Sequence, residues 1–258
     1  MSTAQVGLHR LILVLGLALV WEAAARLGLV DPAFVSPPSE IARALAQMAA
    51  DDRLIAAAGL TSIQVVYAFG LAVGVGVLGG AVVGLSPFAY RTLNPLLLLL
   101  FGLPKMVMLP LFILFFGIGI VSKSVFAFSL GVFPILLSVI AGVRMVDPAL
   151  VLAARSMGAS RPALFWQVVL PSALPSVITG MRLGMTQTVL GVLLAELYGA
   201  STGLGFYVSQ YTQTFKSAQV FGLFLVVAAL AIAVNEVLRS LEVWASRWRE
   251  ENVPELAL

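Results

Sequence analysis

The chain is poor in the side chains that most enzyme centres and metal sites require. Its 258 residues include no cysteine and a single histidine, His9. Without cysteine there can be no disulfide, thiol nucleophile or thiolate metal site, and one histidine excludes multi-histidine metal sites. The sequence also lacks the Gly-x-x-x-x-Gly-Lys-Ser/Thr loop that cradles nucleotide phosphates. We therefore expect no metal site and no ATP bound by such a loop, and a membrane-embedded enzyme is the least favoured function.

Charge is scarce as well. Only 10% of the residues are charged, 60% are hydrophobic, and the mean hydropathy is +1.04. A soluble domain of this composition could not cover its surface with polar side chains, so lipid must cover it. The net charge is +3, but the basic residues are scattered between apolar runs. That pattern favours a membrane protein over one that binds nucleic acid.

Six apolar runs each come close to the ~20 residues that cross the hydrocarbon core. Backbone groups in lipid must be satisfied within the segment, which predicts helices and an all-α membrane protein. The first run could instead be a cleaved signal peptide, but an uncleaved anchor is favoured because the rest of the chain is polytopic. The predicted spans are residues 8–30, 60–85, 95–116, 124–143, 174–198 and 221–238.

The distribution of lysine and arginine predicts the orientation. With the N-terminus inside, nine basic residues fall on the cytoplasmic side and five on the outer side. This bias predicts cytoplasmic N- and C-termini, with the segment 145–171 in the cytoplasm. The nine are Arg10, Arg91, Arg144, Arg155, Arg161, Arg182, Arg239, Arg247 and Arg249, and the five are Arg26, Arg43, Arg53, Lys123 and Lys216.

Two local patterns predict packing. In the outer segment 31–59, Ser39 is a candidate N-cap, and Ile41, Leu45 and Met48 recur at helical spacing, so a short amphipathic helix is expected on the bundle surface. In the second span, glycines four residues apart would let another helix approach closely. These glycines are Gly70 and Gly74, and then Gly76, Gly80 and Gly84.

The third span carries two prolines and a lysine. Pro104 and Pro110 each remove a backbone donor, so a break is expected near the middle of the span. Lys105 occupies that break, and an intramembrane lysine either lines a path or takes a structural partner. Glu196 is the candidate partner. Path lining for an anion and structural pairing are equally favoured, and these four residues form the candidate translocation site.

The segment 145–171 reads as a helical hairpin. Asp147 is a good N-cap for a helix over residues 148–157, and Gly158 is a natural left-handed residue after it. Ser160 can cap a second helix, which Pro171 would stop near residue 168.

The first hairpin helix is unusually apolar for a cytoplasmic loop. Leu150, Ala154 and Met157 form one stripe, with Val151 and Ala153 beside it. An exposed apolar face marks a protein contact. The residues alone leave docking onto a partner and folding back onto the bundle equally open.

The hairpin resembles the cytoplasmic loop motif of bacterial ATP-binding-cassette importer permeases, Glu-Ala-Ala, three residues, Gly, nine residues, Ile-x-Leu-Pro. Here the pattern is Leu152-Ala153-Ala154, three residues, Gly158, nine residues, then Val168-Val169-Leu170-Pro171. Leu152 stands where the motif has glutamate, which places in doubt a polar contact from that position.

Further stretches resemble the nitrate, sulfonate and taurine type of these permeases. The resemblance covers roughly residues 36–238. It is carried by Pro104-Lys105, Pro110-Leu111-Phe112-Ile113-Leu114, Phe116-Gly117-Ile118-Gly119, Ser122-Lys123, Pro134, Gly142-Val143, Asp147, Leu174-Pro175, Gly180-Met181-Arg182, Ala195-Glu196 and Gly203-Leu204-Gly205.

The resemblance implies a type I importer permease fold, with one permease domain over residues 1–258 and six spans. It implies a bacterial inner-membrane protein that pairs with a second copy, two cytoplasmic ATP-binding subunits and a periplasmic or lipid-anchored solute-binding protein. ATP and Mg would bind on the partner ATPase, so this chain is not expected to be an enzyme. The expected coupling residues are Leu150, Val151, Ala153, Ala154, Met157, Gly158, Leu170 and Pro171.

The expected cargo is a small organic or inorganic anion, such as a sulfonate, taurine, nitrate or a carboxylate. Thiamine-precursor pyrimidines are also within the range of the family, and Lys105 is the one feature taken to favour an anion. The alternative function is an ATP-independent secondary transporter or channel, but such proteins usually carry an internal repeat, and none is convincing here.

Arg182 is expected to pack or anchor, with Asn235 and Glu236 near it.

Overall fold

The computed structural model describes residues 3–31, 33–199 and 201–245. Nearly all of them are helical. The helices are α1 Thr3–Arg26, α2 Pro38–Ala49, α3 Asp52–Leu85, α4 Pro87–Gly102, α5 Leu109–Phe116, α6 Ile120–Arg144, α7 Pro148–Ser156, α8 Arg161–Leu164, α9 Leu170–Gly199, α10 Leu204–Gln213 and α11 Ser217–Ala245, with a 3-10 turn at Lys105–Met108 and a π turn at Phe165–Val169.

Within the part of the chain that the structure describes, four stretches of helix are long and apolar enough to cross a membrane, namely Asp52–Leu85, Ile120–Arg144, Arg161–Tyr198 and Ser217–Val237. The α4–α5 pair, which is bent by 78°, makes a fifth if it counts as one span. α1 covers most of the first predicted span, and its crossing stays a prediction. Arg247 and Arg249, which entered the orientation argument, lie outside the described residues.

The described residues form two compact units. The first unit lies within Met1–Ser62 and Glu196–Leu230, and the second lies within Ile63–Ala195 and Ala231–Leu258. In the first unit the apolar side of α2 is buried through Ile41, Ala44 and Met48, which confirms the predicted amphipathic helix.

The predicted cap of α2 is wrong. The helix begins at Pro38, after Pro37 as N-cap, and Ser39 lies inside its first turn. Glu22 of α1 serves this end instead, because its carboxylate accepts the Ser39 N–H at 3.0 Å and the Ser39 hydroxyl at 2.7 Å. A carboxylate beside the N-terminus of a helix satisfies an orphan donor and meets the positive end of the helix dipole.

The core of the second unit depends on close contacts between α3 and α6. A Cβ on Gly76 would lie 2.8 Å from Ile135 Cγ2, and one on Gly80 would lie 2.7 Å from Val139 Cβ. The second group of predicted glycines therefore does mark a close helix contact. The first pair does not, because a Cβ on Gly70 or Gly74 would meet nothing within 4 Å.

α6 and α9 approach equally closely, through glycines that the sequence analysis did not single out. A Cβ on Gly184 of α9 would lie 2.5 Å from Ile135 Cγ1, and one on Gly191 would lie 2.7 Å from Ala127 Cα. Ala127 and Ile135 are completely buried. These contacts place one face of α9 against the core and leave the opposite face exposed.

Candidate functional site

The segment after α6 begins as the sequence predicts. The Asp147 side chain accepts the Ala149 N–H at 2.8 Å, and Gly158 has φ +82° just after the end of α7. The Ser160 hydroxyl accepts the Ala163 N–H at 3.4 Å and so caps α8. α7 ends at Ser156, one residue before the predicted end, with Met157 as its C-cap. These contacts confirm the two predicted N-caps and the predicted left-handed glycine between the two helices.

Pro171 does not stop the second helix, so that expectation is wrong. Helix continues from Arg161 to Tyr198, with a π turn at Phe165–Val169 directly before α9. Proline cannot donate to the fourth residue before it and crowds that residue's carbonyl. A widened turn ahead of Pro171 accommodates both effects, so α7 connects through α8 to a membrane-length helix. Leu170 and Pro171 are half-buried in this passage.

The predicted apolar stripe of α7 is only partly exposed. Ala154 is buried, with 7% of its surface accessible, so its placement on the outer stripe is wrong. Leu150 and Met157 are exposed by 52% and 81%, and Ala153 and Gly158 are exposed as well. The free apolar face is therefore formed by Leu150, Ala153 and Met157, which lie within about 60° of each other on a helical projection.

The other side of α7 faces an open cleft of about 510 Å³. Leu152, at the position where the family motif has glutamate, lines this cleft. Val151 and Arg155 line it as well, together with Gly84 of α3. Leu152 thus lies on a different side of α7 from Leu150 and Met157, at about 200° from Leu150 on the helical projection.

Lys105 lies at the break between α4 and α5. Its ammonium donates to the Phe101 carbonyl oxygen at 2.9 Å and lies 5.0 and 4.6 Å from the ring centroids of Phe101 and Phe133. Phe101 belongs to the last turn of α4, whose carbonyls have no helical donor. Lys105 therefore caps the broken helix and gains cation–π contacts. A carbonyl and two rings, rather than the predicted carboxylate, hold this ammonium.

The two prolines of this region act differently. Pro104 lies in the break itself, between the end of α4 and the 3-10 turn. Pro110 lies in the first turn of α5, where a missing N–H costs nothing because helix starts have no intrahelical acceptor for it. The expected break is confirmed at Pro104, whereas Pro110 begins a helix.

Glu196 is completely buried in the first unit. The Thr61 hydroxyl lies 2.9 and 3.0 Å from its two carboxylate oxygens, and the Gly205 N–H donates to Oε2 at 3.0 Å. The same Thr61 oxygen accepts the Leu204 N–H at 3.0 Å. Glu196 and Thr61 together therefore cap the N-terminus of α10, where the helix dipole favours negative charge.

The loop before α10 is shaped to admit this carboxylate. Gly203 has φ +116°, a conformation that side chains disfavour. A Cβ at Gly203 would also overlap the Glu196 carboxylate. Gly203 and Gly205, which appeared in the sequence only as part of a family resemblance, thus have a direct geometric relation to Glu196.

Arg182 lies near the middle of α9. Its Nε donates to Asn235 Oδ1 of α11 at 3.1 Å, which confirms the expected approach of Asn235. The two residues line a cavity of about 300 Å³ with Thr179, Leu183 and Thr186. Packing or anchoring was the role expected of Arg182, and the cavity beside it is a further finding.

Membrane-length helices, a broken span and a short capped helix leading into a long span define a multi-pass membrane protein. The chain belongs to the family of binding-protein-dependent transport system inner membrane components, whose sequence profile matches residues 56–250. It is the transmembrane permease subunit of an ATP-driven importer. In importers of this family a partner ATPase hydrolyses ATP, and a solute-binding protein is a further partner. The family favours this function over a secondary transporter or channel.

Relatives cover most of the chain. The taurine transport system permease protein TauC of Escherichia coli (strain K12) is 34% identical over 239 residues, which are 90% of this chain and 86% of that protein. The permease SsuC of Bacillus subtilis (strain 168), named for aliphatic sulfonates transport, is 29% identical and covers 89% of this chain and 83% of its own. The formylaminopyrimidine transport permease protein ThiX of Halalkalibacterium halodurans is 26% identical over 97% of this chain and all of its own.

Solved importers share the fold. The MetNI methionine ABC transporter, in an inward-facing conformation, matches with a TM-score of 0.59 at 20% identity, covering 72% of this chain and 91% of that one. An amino acid ABC transporter solved with histidines matches with a TM-score of 0.55 at 18% identity, covering 75% and 92%. These matches agree with the expected type I importer permease fold.

Proposed function

We propose that two copies of this chain form the membrane path of an importer for a small organic anion, and that α7 is the helix that docks on the ATPase. The observation that carries the docking role is the free apolar face of Leu150, Ala153 and Met157 on a short helix with both ends fixed. Exposed apolar side chains on a nine-residue helix fit a groove on a partner protein.

The position of α7 in the chain supports this role. α7 directly follows α6 and leads through α8 and the π turn into α9, so a force on α7 acts on two long helices. Closure of an ATPase dimer can therefore reach the membrane as a rigid-body movement of α6 and α9. Ala154 is buried and Val151 is half-buried beside the cleft, so these two residues would hold α7 on the permease rather than contact the ATPase.

Orientation and lipid contact are part of the proposal. The excess of basic residues on one side, among them Arg91, Arg144, Arg155 and Arg161, supports a cytoplasmic position for α7 and for both termini. Lipid would cover the apolar faces of the long helices, such as the exposed face of α3. The members of this face are Tyr67, Leu71, Val75, Leu78 and Val82.

The cargo class rests on the relatives. Two of those described above are named for taurine or aliphatic sulfonates, and both cover more than four fifths of this chain. A sulfonate is a small anion with three equivalent oxygens, which an arginine can hold through paired hydrogen bonds. The formylaminopyrimidine permease is a more distant relative at 26% identity, so a pyrimidine is the second candidate cargo.

Reconstitution tests the proposal. The permease would be placed in liposomes with its ATPase, and uptake of taurine and of methanesulfonate measured with and without ATP and the solute-binding protein. We expect uptake that requires both. Uptake driven by an ion gradient in liposomes that lack the ATPase would overturn the proposal in favour of a secondary transporter.

A further inference from the structure

α9 carries a polar row along its exposed face. Thr179, Arg182, Thr186 and Gln187 follow one another at intervals of three, four and one residues, and Leu183 completes the face. Residues at such spacings share one side of a helix. Arg182 is half-buried and the other four are exposed. The opposite side of α9 is buried through Gly184, Met185, Thr188 and Val189.

This row is unsuited to lipid. Thr179 and Gln187 bracket the middle of a helix that is long enough to cross a membrane, and Arg182 lies between them. Charged residues at such depth are costly in hydrocarbon and face a bundle interior or a water-filled cavity. The exposed face of α3 described above carries four aliphatic side chains and one tyrosine, a composition suited to lipid that the α9 row does not share.

The guanidinium of Arg182 is held in position. Asn235 Oδ1 accepts from Arg182 Nε at 3.1 Å, so the side-chain oxygen of Asn235 points at the arginine and its amide N–H donors point elsewhere. A guanidinium presents five donors in a planar fork that matches two oxygens of one anion. Arg182 and Asn235 line one cavity of about 300 Å³, and the guanidinium is the group in it that suits an anion.

The threonines of the row have a different part. The Thr179 hydroxyl donates to the Pro175 carbonyl at 3.0 Å, and the Thr186 hydroxyl donates to the Arg182 carbonyl at 3.1 Å. Both threonines line the cavity, and because their protons are engaged with the backbone, their oxygens remain as acceptors. The threonines would thus offer acceptors to water, and the Arg182 guanidinium would offer donors to an anion.

We propose that this face of α9 lines the water-filled path and that Arg182, oriented by Asn235, is the anion-binding site in it. The site would take a small oxyanion head group such as a sulfonate or carboxylate. The inference deepens the proposed function and rests on it for the identity of the cargo. It takes Arg182 rather than Lys105 as the cation of the path, because Arg182 lines a cavity with polar side chains, whereas the Lys105 ammonium lies against a carbonyl and two aromatic rings.

Cysteine labelling tests the wetted wall without knowledge of the cargo. Because the chain has no cysteine, a single T186C change gives one reactive thiol with no background. We expect T186C to react in membranes with a water-soluble anionic thiosulfonate, about tenfold faster than with a cationic one, since a basic cleft concentrates anions. L78C on the apolar face of α3 is the control and should stay unreactive.

Two results of the labelling would overturn the inference. If T186C stays unreactive with both reagents, the face is dry and covered by protein or lipid. If T186C reacts but keeps the same preference for the anionic reagent in an R182Q background, Arg182 is not the source of that preference. We expect the R182Q change to abolish the preference while the thiol stays reactive.

Transport measurements test the binding role. In the reconstituted complex we expect R182Q to raise the KM for uptake of taurine or methanesulfonate at least tenfold, with R182K intermediate and R239Q unchanged. Arg239 is the matched control, because it pairs with Glu236 on the surface of α11. Unchanged KM in an assembled R182Q complex would overturn the anion site. If the unmutated complex shows no uptake that depends on the solute-binding protein, the proposed function is contradicted instead. The labelling result does not depend on that outcome.

Discussion

The Thr61 hydroxyl on α3 lies 2.9 Å from the Glu196 carboxylate on α9, although the two residues are 135 positions apart in the chain. Both side chains are completely buried. Because Thr61 also accepts the Leu204 N–H and Glu196 also accepts the Gly205 N–H, this pair fastens the start of α10 to two long helices. A buried acid that caps a helix in this way has a structural role that does not require contact with cargo.

Removal of the Thr61 hydroxyl should lower the thermal stability of the protein, because it weakens the attachment of the start of α10 to α3 and α9. T61V removes one of the donors to the buried Glu196 carboxylate and leaves the Leu204 N–H without its acceptor, and a lost buried hydrogen bond of this kind costs about 1–3 kcal/mol. We expect a clear drop in the apparent Tm of the detergent-solubilised permease. T61S, which keeps the hydroxyl, is the matched control and should be affected much less. Equal losses for both variants would show that packing of the methyl group, not the hydrogen bonds, matters there.

Close packing of α3 on α6 predicts opposite outcomes for two glycines of one helix. G80A would place a methyl group 2.7 Å from Val139 Cβ and 2.8 Å from the Leu136 carbonyl oxygen, and such overpacking costs about 1–3 kcal/mol. G74A meets nothing within 4 Å and gains helix propensity of up to about 1 kcal/mol. Thermal stability should fall for G80A and stay level or rise for G74A. The reverse order would contradict the observed contact.

Lys105 should prove to be a helix cap. K105M removes the donor to the Phe101 carbonyl and the cation–π contacts, so we expect a lower apparent Tm, by an amount that corresponds to about 1 kcal/mol. The KM for the transported anion should not change in complexes that assemble. K105R, which keeps the charge, should be closer to the unmutated protein. A K105M complex of normal stability with a raised KM would return Lys105 to the transport path.

Signals that act over one helical turn could be predicted from the sequence. Asp147, Gly158 and Ser160 each cap or end a helix through their own neighbours, and Pro104 breaks the third span because proline has no N–H. These features depend on adjacent residues alone, so one sequence is enough to place them.

Features that depend on residues far away in the sequence could not be predicted from local signals. Ser39 has the residue type of a cap, but Glu22 of another helix performs that function. Ala154 fits an apolar stripe by spacing, but the packing of α7 against the rest of the permease decides which part of the stripe is buried. Arg182 was expected to anchor. The spacing of Thr179, Arg182 and Thr186 places them on one side of a helix, but it cannot show that a cavity lies beside them.

Coupling through α7 is the central claim, and one pair of charge substitutions tests it. A153E places a carboxylate on the free apolar face with Leu150 and Met157, whereas L152E places the same charge on the preceding residue, where the family motif has glutamate. A charge buried unpaired in a docking interface costs about 2–5 kcal/mol. The direct measurement is the uptake per ATP hydrolysed in proteoliposomes with loaded solute-binding protein. We expect A153E permease to insert and bind solute-binding protein but to lose uptake by about tenfold or more, while L152E stays coupled. Full coupling in an assembled A153E complex would show that α7 is not the docking helix.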